Sequence, residues 1–253
     1  MSWQGEGMRA LSFGAVAERY ERYRPGYPEE LADLVLGFAG RPIGSALEIG
    51  AGTGKATRLF AARGIAVTAT DPDQAMLDEL RKHVGVRTIR AAFEEVPTGE
   101  RYDLVYAAAA LHWTRPDGRW DRVAALLKAG GAFASFGGPV RLVDPAVERA
   151  VSEARAPFLD TDEFPSPDGT PPEREMQWPG TELLQDARFT DVRQVTIPQR
   201  LTVSASAFVG LLSTISAYLQ LPEPERAWEA ISRVLPETVE IEGGVVAHLA
   251  RRT

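Results

Sequence analysis

The chain has 253 residues, no cysteine and a formal net charge of -7. The missing cysteines exclude disulfides, thiolate nucleophiles and cysteine-ligated zinc, and an acidic chain without a lysine- or arginine-rich block lacks the basic stripe that a nucleic-acid partner requires. With 44% hydrophobic and 25% charged residues, no N-terminal basic-then-apolar signal and no apolar run near the roughly 20 residues that span a bilayer, it reads as one globular, cytoplasmic domain with no membrane partner.

The segment Phe13–Pro28 precedes any strand and holds three of the six tyrosines, Tyr20, Tyr23 and Tyr27, interleaved with arginines. Read alone, it is an amphipathic helix that packs its tyrosines and keeps its arginines in water. The first apolar, β-rich run is Ala46–Gly50; it empties into Gly50-Ala51-Gly52-Thr53-Gly54-Lys55, and a helical pattern follows over Thr53–Ala62. A ligand at such a turn meets bare backbone. The GxGxG spacing departs from the dinucleotide pattern GxGxxG, and Ile49 and Ala56 stand where a phosphate loop needs glycine and a hydroxyl. Glu48, two residues before the first glycine, repels a pyrophosphate. A nucleoside with no phosphates and a positive end remains.

A second buried strand, Ile65–Thr70, ends in Asp71-Pro72, about 20 residues beyond the turn, where a carboxylate accepts both hydroxyls of a ribose. Its competing role is to cap the helix Asp73–Lys82, which Asp73 does equally well. Strands are read over Val86–Ala91 and Tyr102–Ala107, a helix over Pro116–Leu127, and a fifth strand over Ala132–Phe136, with Gly130-Gly131 as left-handed residues between. This alternation predicts an α/β, doubly wound parallel sheet covered on both faces, with ligands at the carboxyl ends of its strands.

Beyond Gly137-Gly138-Pro139 the period is lost. Residues 157–180 are rich in proline and acid and read as a long loop or lid, since too little chain follows for a second core. A strand over Asp191–Pro198, helices over Ala205–Leu219 and Glu223–Val234 and a closing strand over Val245–Ala250 complete the pattern. The histidines His83, His112 and His248 show no ligand spacing, so no metal site is expected. His112, just beyond the fourth strand, is the one candidate general base, with packing against Trp113 as its structural alternative.

The run Glu48-Ile49-Gly50-Ala51-Gly52-Thr53-Gly54 resembles motif I of the class I S-adenosylmethionine-dependent methyltransferases, (D/E)xGxGxG. Together with Phe13–Pro28 and Ala109-Ala110-Leu111-His112-Trp113 it is similar to the type 11 group related to trans-aconitate methyltransferase, over most of residues 10–140. The resemblance implies a Rossmann-like, seven-stranded, mostly parallel sheet whose last strand runs antiparallel. It also implies S-adenosylmethionine as cofactor, S-adenosylhomocysteine as product and a small organic acceptor, with oxygen methylation favoured.

On that resemblance Glu48, Gly50, Ala51, Gly52, Gly54, Asp71 and Pro72 hold the cofactor, Ala107 lies under its amino end, and Arg24 pairs with its carboxylate beside the lid contacts Tyr20 and Phe13. Adenine falls at Ala92, Phe93 and Glu94, with Met76 on its other face, although Phe93 and Met76 fit core packing as well. Relatives place an Asp before a small residue here; Ala92 has no carboxylate, which leaves the adenine amine to Glu94, a backbone carbonyl or water. Trp113 walls the acceptor pocket, and Thr214 and Ser216 resemble a Thr-x-Ser element that lines it in some relatives. The layout is then a cap (residues 1–40), a cofactor-binding core (41–138), a lid insertion (139–190) and C-terminal strands with acceptor-pocket helices (191–253). Two other readings stay open: a protein that binds the cofactor without transferring its methyl group, and a nicotinamide-dependent oxidoreductase, which only the strand-glycine-helix turn favours. Neither the atom methylated nor the oligomeric state is legible in the sequence.

Overall fold

The computed structural model describes residues 11–159, 161, 166–171 and 173–253, with side chains from residue 14 onward. Among the described residues ten strands are formed: β1 (Ser45–Ile49), β2 (Ala66–Asp71), β3 (Arg87–Arg90), β4 (Tyr102–Ala108), β5 (Leu127–Gly137), β6 (Arg141–Leu142), β7 (Phe189–Ile197), β8 (Arg200–Ser204), β9 (Thr238–Glu242) and β10 (Val245–Arg252). Seven of them make the main sheet in the order β3-β2-β1-β4-β5-β10-β7. The first five run parallel, and β10 is antiparallel to both of its neighbours, as the closing strand was expected to be.

Helices α1 (Ala17–Tyr23) and α2 (Glu29–Ala39) precede β1, and α3 (Lys55–Ala61), α4 (Gln74–His83) and α5 (Arg119–Leu126) make the crossovers. Strand alternation decides the layers. Ala46 and Leu104, paired between β1 and β4, face a cluster with Leu31 and Val35 of α2 and Phe60 of α3. Their neighbours Leu47 and Val105 face the opposite cluster, with Val123 and Leu126 of α5. Each fully buried Leu, Val or Phe among them contributes about 1.5–3 kcal/mol. The two edges are blunted by charge, Arg87 and Arg90 on β3, Asp191 and Arg193 on β7, as exposed strand edges require.

The second half departs from expectation in three ways. The helix read over Ala205–Leu219 is broken into α8 (Ala205–Leu212) and α9 (Ser216–Leu219). At the break Ser213 Oγ donates to the Gly210 carbonyl at 2.7 Å and Thr214 Oγ1 to the Leu211 carbonyl at 2.6 Å, the back-bonding by which hydroxyl residues compete with a helix. Of Gly130-Gly131 only Gly130 is left-handed, with φ +65°. Gly131 is needed for closeness instead, because a Cβ there would lie 2.9 Å from the Lys128 carbonyl.

Third, a second core exists. Strands β6, β9 and β8 form a small sheet, and with α6 (Pro145–Arg155), α8, α9 and α10 (Pro224–Val234) they enclose Leu142, Val151, Phe208, Leu211, Tyr218, Ile231 and Ile241. The stretch expected to form one lid, residues 139–190, is therefore divided. Its first part enters this second core. Its last part, with α7 (Gly180–Gln185), packs Leu183 and Phe189 on the main sheet. There Arg119, 3% exposed, donates to the Thr114 carbonyl at 2.7 Å and pairs with Glu182 at 3.3 Å. Among the described residues no helix is long and apolar enough to cross a membrane, and no group of histidines and carboxylates is placed to hold a metal.

His248 on β10 is buried, its Nε2 2.8 Å from Gln194 Oε1, and burial lowers its pKa from 6.5 to about 4. Because the unfolded imidazole binds the proton first, this group's contribution is complete above pH 6.5 and is lost as pH falls towards 4. It amounts to about 3 kcal/mol at about 1.4 kcal/mol per pKa unit. Glu48 and Asp71, whose burial raises their pKa values, act in the opposite sense, losing stability as pH rises. Urea titrations of wild type and His248→Gln between pH 4 and 7 should differ by this slope; parallel curves would refute it.

Candidate functional site

The glycine turn follows β1 directly. Gly50, Gly52 and Gly54 adopt φ of +62°, +53° and +83°, a region that costs a residue with a Cβ about 1–2 kcal/mol. A Cβ on Gly50 would lie 2.5 Å from Ala110 Cβ, and one on Gly54 would lie 2.7 Å from Leu80 Cγ; at Gly52 it would meet nothing within 4 Å. The outer glycines are thus packed into the fold, while the middle one faces open space.

Asp71, at the end of β2 and 7% exposed, holds this turn in place. Its Oδ2 accepts from the Gly52 amide and its Oδ1 from the Asp73 amide, both at 2.9 Å. Asp73 is the cap of α4, accepting from the Ala75 amide at 2.8 Å. Burial pushes the Asp71 carboxyl up to about 6, against the two amides that favour its charged form.

A cleft enclosing about 100 Å³ opens at the carboxyl ends of β1 and β4, where the strand order reverses direction and α/β sheets place their ligands. One wall is Gly50, Ala51, Gly52 and Thr53; the roof is Tyr20, Arg24 and Tyr27; the floor is Ala108 and Ala109. Ala109 is itself left-handed, at φ +51°. The remaining wall comes from the three crossings between the two sheets: Gly137, Gly138 and Val140; Gln199; Gly243, Gly244 and Val245. The roof is tied down by side chains. Glu21 of α1 accepts from Arg58 at 2.8 Å and lies 3.6 Å from Lys55 of α3; against its partial burial, Thr53, Lys55 and Arg58 hold its carboxyl below the ordinary range. Arg24 donates to Thr214.

Of the residues expected to bind cofactor, the structure therefore brings Tyr20, Arg24, Gly50, Ala51 and Gly52 to one cleft, with Asp71 directly behind Gly52. Others sit elsewhere. Glu48 is fully buried and does not line the cleft; its Oε2 accepts from Thr57 at 2.5 Å and Tyr106 at 2.9 Å, its Oε1 has no partner among the described residues, and burial pushes its pKa to about 8. Ala107 is fully buried, and the cleft floor is the next two residues. Gly54 packs on Leu80. Met76 and Phe93 are buried, Phe93 within the core cluster of α5.

The Pro72 carbonyl accepts from Arg90 at 3.3 Å, the Ala92 amide donates to Glu95 at 3.3 Å, and Glu94 accepts from the Arg115 amide at 2.6 Å. Thr214 and Ser216, expected to line an acceptor pocket, are buried in the second core instead. His112 and Trp113 lie on a short 3-10 turn with ring centroids 4.6 Å apart, outside the cleft. Although the His112 ring reaches solvent, the protein around it and the Arg119 charge lower its pKa. The Phe13 side chain lies outside the described residues.

Lining residues that sequence reasoning missed include Tyr27, Lys55, Val140, Gln199 and the Gly243-Gly244 pair. The two glycine pairs, Gly137-Gly138 and Gly243-Gly244, were visible signals of close backbone approach. Gly138 would place a Cβ 2.1 Å from the Gly244 carbonyl.

Residues 46–131 match the model of a family described as a methyltransferase domain. An uncharacterized methyltransferase of Mycobacterium tuberculosis is 40% identical over 124 residues, 48% of this chain and 50% of that protein. A Saccharomyces cerevisiae protein assigned as an S-adenosylmethionine-dependent methyltransferase is 32% identical over 124 residues, 46% of this chain and 43% of that one. The chain thus spans about half the length of the curated relatives it matches. A solved structure assigned as a type II methyltransferase from Anaeromyxobacter dehalogenans superposes with a TM-score of 0.62 at 25% identity, covering 90% of this chain and 98% of the other.

Proposed function

We propose that this chain, a member of the class I S-adenosylmethionine-dependent methyltransferases, transfers the methyl group of that cofactor to an oxygen of a small organic acceptor. The observation that carries the reading is the open backbone at Gly52, held by Asp71 and roofed by Arg24 and Tyr20. These residues fit the family's cofactor. Bare backbone at Gly52 admits a nucleoside, Asp71 keeps lone pairs free for ribose hydroxyls beyond the two it has committed, and Arg24 offers donors to a carboxylate.

When bound, the cofactor supplies an electrophilic methyl on a cationic sulfur and leaves as S-adenosylhomocysteine. The chain's own task is positioning and exclusion of water. Ala108 and Ala109 keep the floor shallow, and Val140, Val245 and Gln199 give the acceptor a mostly apolar wall with one amide. Among the described residues the cleft has no imidazole and, apart from Asp71 behind Gly52, no carboxylate, which supports an acceptor that needs no deprotonation, such as a carboxylate oxygen. On this reading His112→Gln retains turnover and S-adenosylhomocysteine affinity. A loss of about a hundredfold in turnover, the scale of general base catalysis, would instead make His112 the base.

Calorimetric titration with S-adenosylmethionine, S-adenosylhomocysteine and NAD tests the cofactor. Micromolar binding of the first two alone is expected. Binding of NAD alone would overturn the reading, and bound S-adenosylmethionine with no S-adenosylhomocysteine formed across a panel of small acids and alcohols would point to binding without transfer.

A further inference from the structure

Thr214 lies 190 residues from Arg24 in the chain, yet it takes two of that arginine's hydrogen bonds. Arg24 Nε donates to Thr214 Oγ1 at 2.9 Å, and Nη2 donates to the Thr214 carbonyl at 3.1 Å. Nε and Nη2 form one edge of the planar guanidinium fork. With that edge taken, the end-on pair from Nη1 and Nη2 is what the side chain has left to present. The Tyr20 ring, 5.4 Å from the guanidinium carbon, restrains the plane from a third side.

The break between α8 and α9 makes this arrangement possible. In an uninterrupted helix the Thr214 carbonyl would accept from the Tyr218 amide, but here that amide donates to Ile215 at 3.0 Å. The freed carbonyl goes to Arg24. The hydroxyl is fully committed as well, donating to the Leu211 carbonyl at 2.6 Å while accepting from Nε. Thr214 itself is 0% exposed, so it touches no ligand. Arg24, by contrast, lines the cleft beside Gly50 and Gly52.

We infer that Thr214 is a positioning residue for cofactor binding: from the second core it fixes the Arg24 guanidinium so that its free edge meets the cofactor's carboxylate. This rests on the cofactor reading above, and it reassigns Thr214 from the acceptor side of the site to the cofactor side. It also predicts that the second core, far from the glycine turn in sequence, sets the affinity for one end of the cofactor and not for the other.

The test compares two probes by calorimetry. S-adenosylhomocysteine carries the carboxylate; 5′-methylthioadenosine has the same adenosine and thioether without it. Thr214→Val, which keeps the shape and the carbonyl but loses the hydroxyl, should weaken S-adenosylhomocysteine about tenfold, the scale of one hydrogen bond to a charged group. It should leave 5′-methylthioadenosine unchanged, and Thr214→Ser should restore the wild-type value. In an Arg24→Ala background, Thr214→Val should add no further loss. Equal weakening of both probes would make Thr214 merely structural, and unchanged S-adenosylhomocysteine affinity would also overturn the inference. Failure of the wild-type protein to bind S-adenosylhomocysteine at all would bring down the cofactor reading, and the positioning role with it.

Discussion

Asp71→Ala is expected to cost the fold about 1–3 kcal/mol, since it leaves the part-buried amides of Gly52 and Asp73 without their acceptor. The cost falls short of two full hydrogen-bond losses because burial already disfavours this carboxylate. The larger effect is on the ligand. The Gly52 amide loses the contact that anchors the turn, and S-adenosylhomocysteine affinity should fall by about a hundredfold or more, since ribose recognition and turn geometry are lost together. Asp71→Asn separates the two. Its one carbonyl oxygen can still serve Gly52, while its amide meets the Asp73 donor with another donor, so an intermediate stability is expected. Chemical denaturation and calorimetry on both variants decide the matter. Wild-type affinity in Asp71→Ala would mean that the glycines shape the turn unaided and that the ribose lies elsewhere.

Gly50→Ala is the second severe change, and its cause is different. The new methyl would sit 2.5 Å from Ala110 Cβ, on a backbone already at φ +62°. Left-handed strain of about 1–2 kcal/mol and overpacking of about 1–3 kcal/mol add, because one is local and the other tertiary. Gly52→Ala supplies the control. It bears comparable backbone strain, at φ +53°, but its methyl would meet no protein atom within 4 Å. Gly50→Ala should therefore unfold at markedly lower urea concentration, whereas Gly52→Ala should lose ligand affinity out of proportion to its modest loss of stability. If the two variants were equally destabilised, the packing of the turn against Ala110 would be wrong.

Much of this site was legible because its signals are local. Glycines at alternate positions after a β-rich run can mean only a turn that needs left-handed backbone or close approach, and an acid at the end of the next strand falls beside that turn in any parallel pair. Asp71 ends β2, and its carboxylate accepts from the Gly52 amide. Pairing of β1 with β2 places Ile49 opposite Thr70, and that register brings the carboxylate under the Gly52 amide. Glu48 shows the limit of the same reasoning. A charge in a strand can be placed on a face from its spacing, but whether that face meets ligand or core depends on what packs there. Here it is Thr57 and Tyr106.

The second half was less legible for a physical reason. A strand of two residues, β6, is too short to alternate, whereas β9, Thr238–Glu242, alternates polar and apolar over five residues and carried a signal that the sequence reading passed over. The run Ala205–Leu219 reads as one helix because its apolar residues continue across the break at Ser213 and Thr214.

The sequence by itself determined the parallel α/β core and the glycine turn with the acid behind it, since each depends on residues within a few positions of one another or on a recurring alternation. Only the tertiary structure decided that a second core exists, that Glu48 and Phe93 are packed inside, and that Arg24 answers to Thr214 across 190 residues. Those outcomes depend on which surfaces meet after the chain has closed long loops, and no local propensity encodes that choice.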